Sequence, residues 1–235
     1  MAEVWIIDTD LPALAVDGCA ALLDAGEARR AERLRDASDR ARFIVVHGAV
    51  RQILAGYLDV DPRDLVWRSG PNGKPALDEA ALPGVRKVPA YNYSESAGVA
   101  MLAVSEQRAV GVDVQRVPDP RTALRMAARY FDPAEARFVA QAVPRLAAER
   151  FARLWSRKEA WTKSHGARLG QGVGLPVRTA DGLVVDPHGR LPGVCRLSDL
   201  PAPPGFCAAV ALRGAAPFDV RMRRWARAVG GHAGP

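Results

Sequence analysis

Apolar positions between Val4 and Tyr57 pass from a strand-length run to helical spacing. Val4 to Ile7 is an apolar run of strand length, closed by the turn-forming stretch Asp8 to Pro12. Residues 18–35 are rich in Ala, Leu, Arg and Glu and read as helix. Asp39 is placed to cap a second helix from Arg40 to near Leu58. Along it Phe43, Val46, Val50, Ile53, Leu54 and Tyr57 recur close to helical spacing. The Pro-Asn-Gly turn at 71–73 is flanked by short strands at 65–68 and 75–77. Residues 99–104 and 109–114 are apolar strands, with Arg108 at the turn between them.

The second half repeats this layout. A helix is predicted over 121–131, a helix start at Asp132-Pro133-Ala134-Glu135, and a long helix from Arg145 to His165. Gly-rich loops follow, then strands at 183–185 and 207–212. One common offset lays Arg42-Phe43 on Arg150-Phe151 and 99–104 on 207–212, while Asn72-Gly73 falls one position from Asp181-Gly182. This common order predicts an α+β fold of two pseudo-symmetric α+β halves, 1–110 and 111–212, followed by an Arg/Gly-rich tail, 213–235.

With 49% hydrophobic and 25% charged residues in 235, the chain can bury a core and is neither disordered nor fibrous. No apolar run approaches the roughly 18 residues of a membrane helix. The N-terminus lacks a basic, cleavable signal, and Cys19, Cys195 and Cys207 have no metal-ligand spacing. A cytoplasmic location is the expectation. Residues 1–110 carry 13 Lys/Arg against 16 Asp/Glu, and residues 111–235 carry 20 against 10, so the net +7 belongs to the second half. That charge suits phosphate-bearing or acidic partners. Without aromatic–basic interleaving it does not point to nucleic acid. Only four of the 33 cations are lysine: Lys74, Lys87, Lys158 and Lys163. A lysine kept on an Arg-rich background offers a compact ammonium able to exchange a proton, which guanidinium cannot do.

Two segments carry candidate chemistry. In Gly111-Val112-Asp113-Val114-Gln115 the strand period puts Asp113 and Gln115 on one face, which also describes a strand edge with one wet side. In Phe151 to Lys163, the residues Trp155, Glu159 and Lys163 form one ridge at i, i+4 and i+8. A plain surface Glu–Lys pair has the same spacing. Together, Asp113, Gln115 and Glu159 supply oxygen ligands for a hard cation such as Mg²⁺, and Lys163 beside them would suit a phosphate. Gly73-Lys74-Pro75 and Tyr91-Asn92-Tyr93-Ser94-Glu95-Ser96 add a glycine turn with a lysine and a hydroxyl-rich loop, both able to meet phosphate oxygens.

In their order these segments resemble the 4′-phosphopantetheinyl transferases of the surfactin-synthetase-activating type. The resemblance runs over about 4–212. Ala49-Val50-Arg51 comes first, then Gly73-Lys74-Pro75, Asn92-Tyr93-Ser94 and Gly111-Val112-Asp113-Val114, and last Trp155-Ser156-Arg157-Lys158-Glu159-Ala160 with Lys163. It implies a monomer with coenzyme A in a cleft between the halves, and Mg²⁺ joining the diphosphate to Asp113, Gln115 and Glu159. Phosphopantetheine would pass to a serine of an apo acyl or peptidyl carrier protein of polyketide or nonribosomal peptide synthesis, releasing 3′,5′-ADP. Glu159 would be base and metal ligand, Asp113 a metal ligand, and Lys163 would neutralise or protonate the leaving phosphate. Lys74, Ser94, Glu95, Arg30, Arg42, Arg51 and Lys158 are the expected coenzyme-binding residues. The loop after Gln115, with Met126 and Phe131, would face the carrier.

Two departures from the family pattern matter. Gln115 stands where the family has Glu, removing one negative charge. Glu95 stands where it has a phosphate-binding His, so that carboxylate must turn toward an arginine such as Arg42 or Arg51, or toward the metal. The basic position before Arg30 is Glu27. These departures leave a second reading: a degenerate homologue that binds coenzyme A or a carrier without transfer.

Overall fold

The computed structural model describes residues 1–70, 75–85, 87–189 and 191–226. The chain runs β1 (Ala2–Asp8), α1 (Ala13–Ala20), α2 (Ala25–Arg33), α3 (Ala37–Leu58), β2 (Trp67–Ser69), β3 (Pro75–Leu77), β4 (Ala90–Ser96) and β5 (Val99–Ser105). It continues with β6 (Val110–Arg116), α4 (Pro120–Tyr130), α5 (Pro133–Ala140), α6 (Pro144–Ser164), α7 (Leu169–Gly172), β7 (Leu183–Val185), β8 (Val194–Leu200), β9 (Phe206–Arg213) and β10 (Val220–Trp225). This is an α+β fold. Among the described residues no helix is long and apolar enough to cross a membrane.

The repeat expected from the sequence is present in the element order. β1, α2 and β3 begin at Ala2, Ala25 and Pro75, and β6, α5 and β7 begin at Val110, Pro133 and Leu183, so all three pairs are separated by one and the same interval. Strand order repeats too: β1-β5-β4, flanked by β10, in one sheet, and β6-β9-β8-β7 in another.

One compact unit holds residues 5–88, 98–100 and 222–235, as far as they are described. Here the expected single helix over 18–35 is two helices. Asp24 accepts from the backbone of Gly26 and Glu27, and the Glu27 side chain accepts from the Asp24 backbone, so a capping box starts α2. Asp36, not Asp39, caps α3. A Cβ on Gly48 of α3 would lie 2.6 Å from that of Cys19 on α1, so glycine permits this close helix crossing. β2 and β3 pair antiparallel, but the turn at 71–74 between them lies outside the described residues.

The other unit holds residues 1–4, 89–97 and 101–221. Asp119 and Asp132 cap α4 and α5, each with proline at the first helical position. β6, β9, β8 and β7 pair antiparallel in that order. Phe151, Leu154 and Trp161 of α6 join Val184, Leu197, Ala209 and Ala211 of the sheet in one buried core.

Three strands were not foreseen. The stretch expected as a Ser-rich loop is β4, β8 carries an irregular apolar pattern, and part of the expected tail is β10. Phe131 corrects another expectation. It is 8% exposed and stacked on Phe151 at 5.2 Å, so it belongs to the core and not to a carrier-facing surface.

Candidate active site around Asp113

β6 carries Gly111, Asp113 and Gln115 on one face, and α6 crosses that face at backbone distance. A Cβ on Gly111 would stand 2.1 Å from the Ala160 carbonyl oxygen and 2.4 Å from the Ser164 nitrogen. Only glycine allows this approach, and it brings the helical neighbours Glu159 and Lys163 to Asp113. Lys163 Nζ donates to Asp113 Oδ1 at 2.7 Å and lies 3.9 Å from Glu159 Oε2.

β4 supplies the third side. Its polar residues Asn92, Ser94 and Ser96 alternate along one strand face, and all three engage β6. Asn92 Oδ1 accepts from the Val112 nitrogen at 2.9 Å, and Ser96 Oγ accepts from the Arg116 nitrogen at 3.1 Å. Between them Ser94 Oγ donates to Asp113 Oδ1 at 2.8 Å and accepts from Lys163 Nζ at 3.0 Å.

The electrostatics follow from burial. Asp113 is only 4% exposed, and its Oδ2 is buried without a hydrogen-bond partner. Desolvation pushes its carboxyl above the ordinary aspartate range, although Lys163 and Ser94 oppose the shift. Glu159 is raised as well, first by desolvation and then by the Asp113 charge, against the pull of Lys163 and a hydrogen bond from Trp155. Two carboxylates that resist ionising together, one with a bare oxygen, fit a divalent cation, whose charge would relieve both. Among the described residues no group of three or more His, Cys, Asp or Glu gathers as a metal cluster. Two carboxylates with waters and phosphates are nonetheless an ordinary Mg²⁺ shell. Gln115 is half-buried, and its amide nitrogen donates to the Arg116 carbonyl at 2.9 Å, so a cation there would have to be met by the amide oxygen.

The other expected site residues are placed differently. Lys74 lies outside the described residues. Arg30 is exposed with its guanidinium 5.5 Å over the Phe43 ring, and Arg42 pairs with Asp39 and Ser38. Glu95 is exposed on β4. Arg51 and Lys158 were expected to meet coenzyme A, but both are fully buried with their donors engaged inside the protein. Arg51 donates to Glu27 (2.7 Å), Asp24 (2.6 Å) and the carbonyls of Pro62 and Leu65 (3.0 Å each). Lys158 pairs with Glu135 at 2.6 Å, donates to the Leu175 carbonyl, and sits 4.7 Å over the Phe131 ring. Glu27 is therefore the counter-ion of a buried arginine, which also answers why it is not basic.

Residues that sequence reasoning did not assign to the site are Asn92, Ser96 and Trp155. The alternation of Asn92, Ser94 and Ser96 was the available signal for a strand with one polar face.

The model of the 4′-phosphopantetheinyl transferase superfamily matches residues 109–190, which include Asp113, Glu159 and Lys163. The chain is 32% identical over 172 residues to slr0495 of Synechocystis sp., provisionally named a 4′-phosphopantetheinyl transferase, covering 73% of this chain and 67% of that one. It is also 32% identical over 165 residues to the 4′-phosphopantetheinyl transferase HetI of Nostoc sp., covering 70% and 68%. With its family-matched segment framing Asp113, and with this identity over some two thirds of each relative, the chain belongs to the 4′-phosphopantetheinyl transferase superfamily.

Proposed function

We propose that the protein moves the phosphopantetheine arm of coenzyme A onto a serine of an apo acyl or peptidyl carrier protein, with Asp113 and Glu159 holding Mg²⁺ and Gln115 completing the shell. The observation that carries this reading is the meeting of Asp113, Glu159 and Lys163, with the Asp113 Oδ2 atom buried and bare. Bound there, the cation would neutralise the diphosphate, and phosphoryl transfer depends mainly on such neutralisation and on alignment. Glu159, the carboxylate beside Asp113 and Lys163, takes the proton from the attacking serine hydroxyl. The serine oxygen bonds to the phosphorus nearer pantetheine, the P–O bond to the other phosphate breaks, and 3′,5′-ADP leaves. Lys163 supplies positive charge, and a proton when needed, to the departing phosphate. Gln115 contributes a neutral oxygen, so the site carries one negative charge fewer than an Asp-x-Glu pattern would give.

Intact-mass spectrometry of an apo carrier domain incubated with the protein, coenzyme A and Mg²⁺ tests this. The expected result is gain of one phosphopantetheine, abolished by chelator. Coenzyme A binding without any gain on several carriers would instead identify a binding protein that has lost transfer.

A further inference from the structure

Ser94, expected to contact a coenzyme A phosphate, has its hydroxyl engaged by Asp113 and Lys163. A serine hydroxyl has one proton to donate, and an ionised phosphate oxygen needs a donor. In Ser94 that proton goes to Asp113 Oδ1 at 2.8 Å, while an oxygen lone pair takes the Lys163 ammonium at 3.0 Å. The residue is 8% exposed. Its strand is fixed on both sides by side chains bonded to the β6 backbone, Asn92 to Val112 and Ser96 to Arg116, so β4 cannot slide along β6 without losing both bonds. The Asp113 carboxylate is thus divided. Oδ1 is held by the Ser94 hydroxyl and the Lys163 ammonium, and Oδ2 is buried with no partner.

We infer that Ser94 is a positioning residue for Asp113: by pinning Oδ1 it fixes the carboxylate plane and makes Oδ2 the single oxygen that Asp113 presents to a divalent cation. Asn92 and Ser96 set the strand register that puts the hydroxyl there. Hydrogen-bonding partners behind a ligating carboxylate typically control metal affinity by about 10–100-fold. The inference rests on the proposed cation at Asp113.

The test separates the two roles of Ser94 by titrating metal and coenzyme apart. Mn²⁺ is titrated calorimetrically into the full-length protein saturated with coenzyme A, and coenzyme A is titrated separately into the protein in excess EDTA. Both are repeated with Ser94→Ala and Ser94→Cys. The cysteine keeps the side chain's shape but is a poor donor, and circular dichroism confirms the fold of each variant. The expected result is Mn²⁺ affinity lowered about tenfold or more in both variants, with metal-free coenzyme A affinity unchanged. Unchanged Mn²⁺ affinity in both variants overturns the inference. So does a matching loss of coenzyme A affinity in EDTA, which is what a phosphate contact gives. Failure of the wild-type protein to bind Mn²⁺ removes the metal reading and this inference with it, and the wild-type titration tells that result from failure at Ser94 alone.

Discussion

The two repeats place a glutamate at the same point of their layouts, and each uses it to neutralise a buried cation on its long helix. Glu27 sits in the first turn of α2 and Glu135 in the first turn of α5, at equivalent positions of the repeat. Glu27 holds Arg51 on α3, and Glu135 holds Lys158 on α6. Arg51 spreads its planar fork over two carboxylates and two carbonyls, 4.9 Å from the Trp67 ring. Lys158 has three donors and fewer partners, and Glu135 makes up the difference by accepting from the nitrogens of Val177 and Arg178.

The cations are one helical position out of step. The interval that carries Glu27 onto Glu135 carries Arg51 onto Glu159, and the buried lysine stands just before it. That single-position offset turns a carboxylate toward Asp113 in the second repeat, where the first repeat spends the position on structure. A repeated scaffold can therefore keep its buried ion pair and still free one helix position for chemistry.

Opposite pH signs follow. Burial would raise Glu27, but hydrogen bonds from His47 and Arg51 outweigh it and hold its carboxyl below the ordinary range. It therefore adds stability at neutral pH, lost as pH falls through its folded pKa. Asp113 and Glu159 are raised, so their ionised forms cost the folded state stability near neutrality, and acidification through their folded pKa values relieves that cost.

The largest expected effect tests the structural copy. Arg51→Ala takes the cation from Glu27 and Asp24 and the donor from the Pro62 and Leu65 carbonyls, and should cost about 3–5 kcal/mol in denaturant unfolding. Lys158→Ala should cost clearly less, because Lys158 serves one carboxylate and one carbonyl where Arg51 serves two of each. Equal losses would break the contrast between the two pairs.

Next comes the chemical copy. Glu159→Ala and Lys163→Ala should each slow transfer at least ~10²-fold, the scale of lost acid–base catalysis. Near-normal turnover in both would end the role assignment. Lys163→Arg sharpens the point: full activity would mean that charge alone suffices, without proton transfer.

Smaller again is the stability of a catalytic variant. Glu159→Gln removes a desolvated charge, so its melting temperature at pH 7.5 should exceed that of the wild type. In a chain of this size each kcal/mol is worth about 2–4 °C. The gain should shrink as pH falls and the wild-type carboxyl protonates, whereas a gain that grows toward acid would reverse the sign argued for Glu159.

The smallest effect concerns Gln115. Gln115→Glu adds a charged oxygen and should lower the Mg²⁺ concentration needed for half-maximal rate. An unchanged metal titration would place Gln115 outside the shell.

Local pattern accounts for much of what was legible. The strand at 75–77, the strand at 183–185 and the long helix near 145–165 emerged with boundaries within a residue or so, because apolar period and turn or helix-start residues such as Pro144 act on neighbours in the chain. The ridge of Trp155, Glu159 and Lys163 was legible for the same reason, since helical spacing fixes it. β4 was not: its sheet neighbour β5 follows directly in the chain, but the β6 groups that Asn92, Ser94 and Ser96 engage are distant in sequence, and without them a run of Tyr, Ser and Asn serves equally as loop.

Sequence alone therefore determined the repeat, the family and the residues available for chemistry, all of which rest on order and spacing along the chain. It could not say which cations would be spent inside the protein. Arg51 and Lys158 look like phosphate ligands in a motif, and only packing that left each with no solvent and a carboxylate in reach made them structural. The partners of Ser94 are likewise set by packing. Its single proton goes to whichever acceptor the fold brings within 2.8 Å, and that acceptor is Asp113.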